Sequence, residues 1–94
     1  MGPGKASLLE AIDREGSISA AGRALGMSYR RTWLLVDEMN RCWDERLVVT
    51  VPGGGHARGA LLSETGRRVL ADYRRLERRL ADVMIDLLAR AVGP

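Results

Sequence analysis

Residues 16–40, GSISAAGRALGMSYRRTWLLVDEMN, decide how this chain folds. Ser17 and Ser19 each offer a side-chain oxygen to the free N–H groups of an opening helical turn, so one of them caps a short helix. Ala20, Ala21, Gly22 and Ala24 keep one side of that helix small, which lets a second helix cross close to it. Gly26, after Leu25, supplies the left-handed residue that ends the helix and turns the chain. Ser28 then caps a second helix running through Trp33, Val36 and Met39. Two helices joined by a tight glycine-containing turn form the unit that lays its second helix in the major groove of DNA.

The charges agree with that use. Between Gly16 and Val36 there is no Asp or Glu, while Arg23, Arg30 and Arg31 are present. Arg30 and Arg31 fall in the first turn of the second helix, where the helix dipole disfavours cations. A phosphate or a guanine edge nearby offsets that cost. Thr32, Val36 and Met39 share one stripe, with Leu35 close by, so Ser28, Tyr29, Arg30, Arg31 and Leu34 point away from it. Trp33, beside Val36 and Met39, reads as a core or subunit contact in preference to a base stacker. Tyr29 is open between hydrogen-bonding a phosphate and covering the turn.

Before this stretch, residues 1–4 read as a loose arm and Lys5 as solvated in preference to phosphate-bound. Ala6–Glu15 has Leu8, Leu9 and Ile12 on one face, with Ala11 beside them, and Glu10, Asp13, Arg14 and Glu15 on the other. That is an amphipathic helix, stopped by Gly16. Its acidic outer face suits a helix that supports the motif and stays off DNA.

After the stretch, Asp37, Glu38, Asp44 and Glu45 read as a solvated helix end in preference to a paired-carboxylate active site. Cys42 reads as a small, half-buried hydrophobe, and Trp43 as packing beneath the strands that follow. Leu47–Val51, LVVTV, is dominated by β-branched residues and predicts a strand; Pro52 and Gly53–Gly55 end it. Ala60–Leu62 returns as a second strand. The hairpin has a glycine-rich tip, Gly53 to Gly59, carrying His56 and Arg58, and residues 46–63 contain no acid. A basic hairpin directly after a recognition helix reads as a wing laid along the sugar-phosphate backbone or into the minor groove. The lysine and hydroxyl of a nucleotide-binding P-loop are missing. His56 is the single histidine, so contact with solvent or a phosphate is preferred over a metal.

From Ser63 to Val92 the pattern predicts one long helix, capped by Ser63, with Glu64 in the first turn. Gly66 weakens its start without breaking it. Val69, Tyr73, Leu76, Leu80, Val83 and Leu87 recur at spacings that form a heptad seam, which Leu70, Met84 and Leu88 widen. Some 30 residues at 1.5 Å each reach roughly 45 Å, beyond what so small a domain covers. The first turns pack on their own domain; Tyr73, Leu76, Leu80, Val83, Met84 and Leu87 are expected at the interface of a homodimer. Arg68–Asp72 and Arg78–Asp82 are expected as i,i+4 pairs on a solvated face.

Composition sets the outer bounds. The chain has 94 residues, 46% of them hydrophobic, no Phe, and a net charge of +3, so it is one domain, or a small domain plus an extension, with a small aliphatic core. One cysteine excludes an internal disulfide and fits a reducing cytoplasm. No apolar run approaches the ~20 residues of a membrane span, and residues 1–7 lack a secretion signal. No catalytic set, metal cluster, cofactor cradle or small-molecule site is evident.

In order, LLEAIDREGSISAAGRALGMSYRRTW, DEMN and LVVTVPGGGHARGALLSETGRRVLADYRRL resemble the winged DNA-binding domain of the ModE family, the molybdate-responsive bacterial transcription regulators. The resemblance spans residues 8–76, with the wing and the helix containing Tyr73 its more specific part. The helix-turn-helix alone is also similar to the LysR class. The resemblance implies sequence-specific binding of double-stranded DNA as a homodimer, with Ser28, Tyr29, Arg30 and Arg31 in the recognition-helix positions and His56 and Arg58 in the wing. Full-length members add an oxyanion-binding domain for molybdate or tungstate. A chain ending at Pro94 is expected to lack it, leaving a standalone member or a sensor on another polypeptide. Ser63 stands where the family commonly has threonine.

The expectation is therefore a mainly α fold with a small β-hairpin: a winged helix-turn-helix over residues 1–62 and a long dimerisation helix over 63–94, in one structural unit. The function expected is a transcription regulator reading a pseudo-palindromic operator through helix 28–40 and wing 47–62, without enzymatic activity. Arg23 and Arg58 would hold phosphates. The alternative is a winged-helix protein-interaction module that does not touch DNA.

Overall fold

The first helix, α1, spans Pro3–Glu15. It begins earlier than the two glycines and proline of the N-terminus suggest. Proline resists helix interiors but suits the first helical position, where its missing N–H has no partner to lose and its φ is already helical. Gly2 provides the extended cap, and the Ala6 N–H donates to the Gly2 carbonyl at 3.0 Å. The supposed arm is thus the first turn of α1. Lys5 is not simply solvated either: its Nζ lies 2.7 Å from a Glu38 carboxylate oxygen. The computed structural model describes residues 1–52 and 58–92, with Arg58 described by its backbone alone. His56 and most of the expected hairpin tip lie outside the described residues.

The next two helices are α2, Ile18–Ala24, and α3, Tyr29–Cys42. Ser17, not Ser19, caps α2 by accepting from the Ala20 N–H at 3.1 Å, and Ser28 caps α3 by accepting from Arg31 N–H at 3.2 Å. Gly16 and Gly26 both have φ of 70°, a conformation that a β-carbon disfavours. The small face of α2 does what its composition implies. A β-carbon on Gly22 would lie 2.9 Å from both Cβ and Cγ2 of the fully buried Thr32. The two helices cross at a spacing only glycine permits. Thr32 keeps its hydroxyl satisfied by donating to the Ser28 carbonyl at 2.8 Å.

Two antiparallel strands follow, β1 Val48–Pro52 and β2 Arg58–Leu62, in the register Val48↔Leu62 to Pro52↔Arg58. They run further toward the tip than the β-branched run alone suggests, since proline is tolerated at the edge of a two-stranded ribbon. Val48, Ala60 and Leu62 are buried, while Val49, Val51 and Leu61 on the opposite face are exposed, an alternation that holds along β2; in β1 only Val48 is buried, and Thr50 on the same face is exposed. The Ala60 N–H donates to the Gly16 carbonyl at 2.9 Å, fixing the wing to the turn between α1 and α2. The core joins Leu8, Leu9, Ile12, Ile18, Val36, Met39, Leu47, Val48 and Leu62.

Trp43 does not pack beneath these strands. It is 41% exposed and extended at the end of α3. Asn40 holds the strand instead: its Oδ1 accepts from the N–H groups of Leu47 and Val48 at 2.9 and 3.1 Å, and its Nδ2 donates to the Val48 carbonyl at 3.1 Å. That bridge returns the chain to the core and leaves the intervening Trp43 outside. Cys42, one step earlier, is likewise exposed, not half-buried.

The last helix, α4, spans Glu64–Val92. Ser63 caps it, accepting from Gly66 N–H at 3.0 Å while donating its own hydroxyl to the Arg46 carbonyl at 2.6 Å. The acidic face of α1 meets the arginines of α4: Glu10 takes Arg74, and Asp13 lies 3.6 Å from Arg67. Arg74 also donates to Glu77 at 2.7 Å, and its hydrogen bonds to Glu10 first and then to Glu77 raise its pKa further above its ordinary value. The expected pairs Arg68–Asp72 and Arg78–Asp82 do not form. Arg68 faces Glu64 at 3.8 Å, Asp72 takes Arg75, and no ion pair joins Arg78 to Asp82 among the described residues. The i,i+4 pairs that do form, such as Asp86–Arg90 at 3.1 Å, all have the acid first, the orientation the helix dipole favours.

Val69 and Leu70 pack against the core, and Tyr73 is half-buried. Beyond them α4 leaves the domain, and the molecule measures 66 × 28 × 19 Å. Leu76, Leu80, Val83, Met84 and Leu87 are each at least 53% exposed in the single chain. The architecture is a winged helix-turn-helix continued by a long helix.

Candidate nucleic-acid interface

The inward stripe of α3, Thr32, Val36 and Met39, is buried, and this fixes what points outward. Tyr29 is 69% exposed and Leu34 is 55% exposed; Arg30 and Arg31 are both exposed. Ser28 is exposed too, with its hydroxyl oxygen engaged as the cap. Arg23 stands exposed in the last turn of α2, where a cation is favoured. Arg23, Arg30 and Arg31 make no ion pair among the described residues, whereas Arg67 and Arg74 on α4 are held by α1. Three guanidinium groups are thus left to solvent on the helix-turn-helix.

Tyr29, Arg30, Trp33, Leu34 and Asp37 line a shallow, open depression of about 460 Å³ on the outer side of α3. The Tyr29 and Trp33 rings lie 6.0 Å apart, inclined at 56°, within the range of favourable tilted aromatic pairs. Trp33 is half-buried against the core, as its neighbours imply. Its Nε1 is buried and has no hydrogen-bond partner among the described residues. On its other side Trp33 lines a smaller hollow of about 100 Å³ with Asp37, Asn40, Arg46 and Thr50 among others.

Charge alone did not single out Leu34 or Asp37 as belonging with Tyr29 and Arg30. The i, i+4, i+7 spacing of 30, 34 and 37 is the signal that places them on one face. Of the four acids expected as a solvated helix end, three are engaged: Asp37 with Arg41 at 3.3 Å, Glu38 with Lys5, and Glu45 by accepting from the Thr65 hydroxyl; Asp44 is exposed. The hydrogen bond from Lys5 chiefly holds the Glu38 carboxyl below its ordinary range, and the same bond raises Lys5. No group of three His, Cys, Asp or Glu suited to a metal occurs among the described residues. No helix among them is long and apolar enough to cross a membrane.

Of the wing residues, Arg58 begins β2 opposite Pro52; its side chain, like all of His56, lies outside the described residues.

No family model matches the chain. It is 49% identical over 70 residues to the molybdenum transport protein ModE of Azotobacter vinelandii, which takes in 74% of this chain and 26% of that protein. It is 39% identical over 84 residues to the molybdenum-pterin-binding protein MopB of Rhodobacter capsulatus, across 89% of this chain and 31% of that one. To the DNA-binding transcriptional dual regulator ModE of Escherichia coli K12 it is 33% identical over 87 residues, across 89% and 33% of the two chains. The solved structure of the full-length LysR-type regulator LysG from Corynebacterium glutamicum, with its arginine effector bound, matches 97% of this chain and 29% of that one, with a TM-score of 0.65 and 23% identity. At that identity the likeness is one of fold. The chain spans about a third or less of the length of these relatives.

Proposed function

With a ModE-like helix-turn-helix domain as the premise, we propose that this chain binds double-stranded DNA sequence-specifically and serves transcription regulation. The observation that carries the reading is the outward face of α3. Its first turns hold Arg30 and Arg31 exposed and outside every ion pair among the described residues, while its inward stripe is anchored in the core. In this role Arg30 or Arg31 contacts base edges, and Arg23, Ser28 and Tyr29 contact phosphates and set register. His56 and Arg58 extend the contact from the wing. A link to molybdate-responsive regulation belongs to the proposal, supported by the molybdenum proteins among the relatives.

The unit that binds is a homodimer. Residues 1–62 act as the DNA-binding part and 63–94 as the dimerisation helix, with Tyr73, Leu76, Leu80, Val83, Met84 and Leu87 meeting their counterparts. An apolar face this exposed is a strong drive to association. Two recognition helices related by a two-fold axis read half-sites about 34–36 Å apart, or a multiple of that.

Selection of bound duplexes from a random pool tests this. The expected result is enrichment of one pseudo-palindrome. Recovery of no sequence above background would instead favour a protein-interaction module.

A further inference from the structure

Leu34 is a large aliphatic side chain left 55% exposed on a helix whose core stripe is already complete without it. Its surroundings are specific. Tyr29 and Trp33 form the apolar wall of the depression that it shares with Arg30. Asp37 closes the far end, and its charge is met by Arg41 at 3.3 Å. Arg30 and Arg31 remain outside any ion pair among the described residues, so the occupant that fits this hollow combines an apolar group with strong negative charge nearby. A DNA major groove offers both: phosphates on either side, and one apolar group on the base edges, the thymine 5-methyl. An apolar protein surface would supply the first requirement without the second.

We propose that Leu34, with Tyr29 beside it, seats a thymine 5-methyl group and is a specificity-determining residue. The inference rests on the reading of α3 as the helix that enters the major groove. Arg30 and Leu34 are one helical turn apart, and four residues advance about 6 Å along the axis. Base steps of about 3.4 Å then put the preferred thymine within about two base pairs of the base that Arg30 contacts, since a helix inclined in the groove advances less along the DNA axis. The half-site preference is a guanine and a thymine at fixed separation, the guanine read by the guanidinium.

The test uses the duplex that the full chain enriches from a random pool. Each thymine is replaced in turn by deoxyuridine, which removes the methyl and keeps the O4 acceptor. In each half-site one replacement is expected to weaken wild-type binding about fourfold, the scale of one buried methyl, and to leave Leu34→Ala and Leu34→Gln binding unchanged. Both variants should bind the parent duplex more weakly by a similar factor, with unaltered helix content and thermal midpoint. The inference is overturned if no thymine shows a penalty, or if the penalty persists when Leu34 is replaced. It also falls if the variants unfold, since the side chain would then be structural. Enrichment of a duplex without any Leu34-dependent thymine defeats this inference alone; enrichment of none defeats the reading of α3 itself.

Discussion

The backbone of Leu47 occupies the space that a β-carbon on Gly66 would need. That carbon would lie 3.0 Å from the Leu47 carbonyl carbon and 3.2 Å from its Cα, with the carbonyl oxygen nearer still. The same oxygen accepts from Ser63 N–H at 2.9 Å. The start of β1 and the first turn of α4 are therefore in backbone contact, and this contact sets the direction in which the long helix leaves the domain. Gly66→Ala is expected to destabilise the fold by about 1–3 kcal/mol, a drop of several degrees in thermal midpoint. Gly4→Ala is the control: nothing lies within 4 Å of a β-carbon there, so it should be neutral or mildly stabilising.

Asn40 should matter as much as a core residue. Asn40→Ala strands the N–H groups of the buried Leu47 and Val48. Each unsatisfied buried group costs about 1–3 kcal/mol, so the loss should be about 2–6 kcal/mol in urea unfolding, with an unchanged denaturant slope. Asn40→Asp keeps the acceptor and loses one donor, and should fall between.

These two positions show what the sequence did and did not reveal. The glycines at 16 and 26, the serine caps and the stripe through Thr32, Val36 and Met39 are local signals, and each appears in the structure where the pattern puts it. Gly66 and Asn40 are long-range devices. Gly66 reads as a weakness in a helix until Leu47 is seen against it, and Asn40 reads only as the last residue of helix 28–40 until it is seen holding the strand seven residues on. Trp43 differs from its expected place for the same reason: hydrophobicity is legible in sequence, but not that Asn40 takes the anchoring role and leaves Trp43 exposed. On the candidate interface, the arginines of α3 were visible as an acid-free run, and Leu34 as a residue outside the core stripe. The depression that joins Leu34 to Tyr29, Arg30 and Asp37 was not, because it depends on which way Trp33 turns.

The Lys5–Glu38 bridge gives a pH signature. Glu38 titrates below its ordinary 4.5 in the folded state. A carboxyl shifted down stabilises the fold above the unfolded value, and that contribution disappears as pH falls through the folded one. Lys5 titrates above its ordinary 10.5, so its contribution is complete below that value and is lost as pH rises through the folded one. The bridge acts across the neutral window. The stability difference between wild type and Glu38→Gln, followed by thermal unfolding, should shrink toward zero below the Glu38 range. It should also shrink with added salt, because both groups face solvent.

Leu80 is 58% exposed in the single chain, so a charge there costs one chain little and a dimer much. Sedimentation equilibrium should find wild type dimeric and Leu80→Asp monomeric, with the helix-turn-helix still folded. A monomeric wild type would remove the assembly argument.

The most direct test of DNA recognition by α3 is an anisotropy titration of the selected duplex by wild type and Arg31→Ala over a range of salt concentrations. If Arg31 reads a base, its loss should weaken binding by about 1–3 kcal/mol and relax one position of the site. Wild-type affinity should fall steeply and linearly on a log–log plot as salt rises and counterions are released. Binding that ignores salt, and is the same when Arg30 and Arg31 are both alanine, would contradict it.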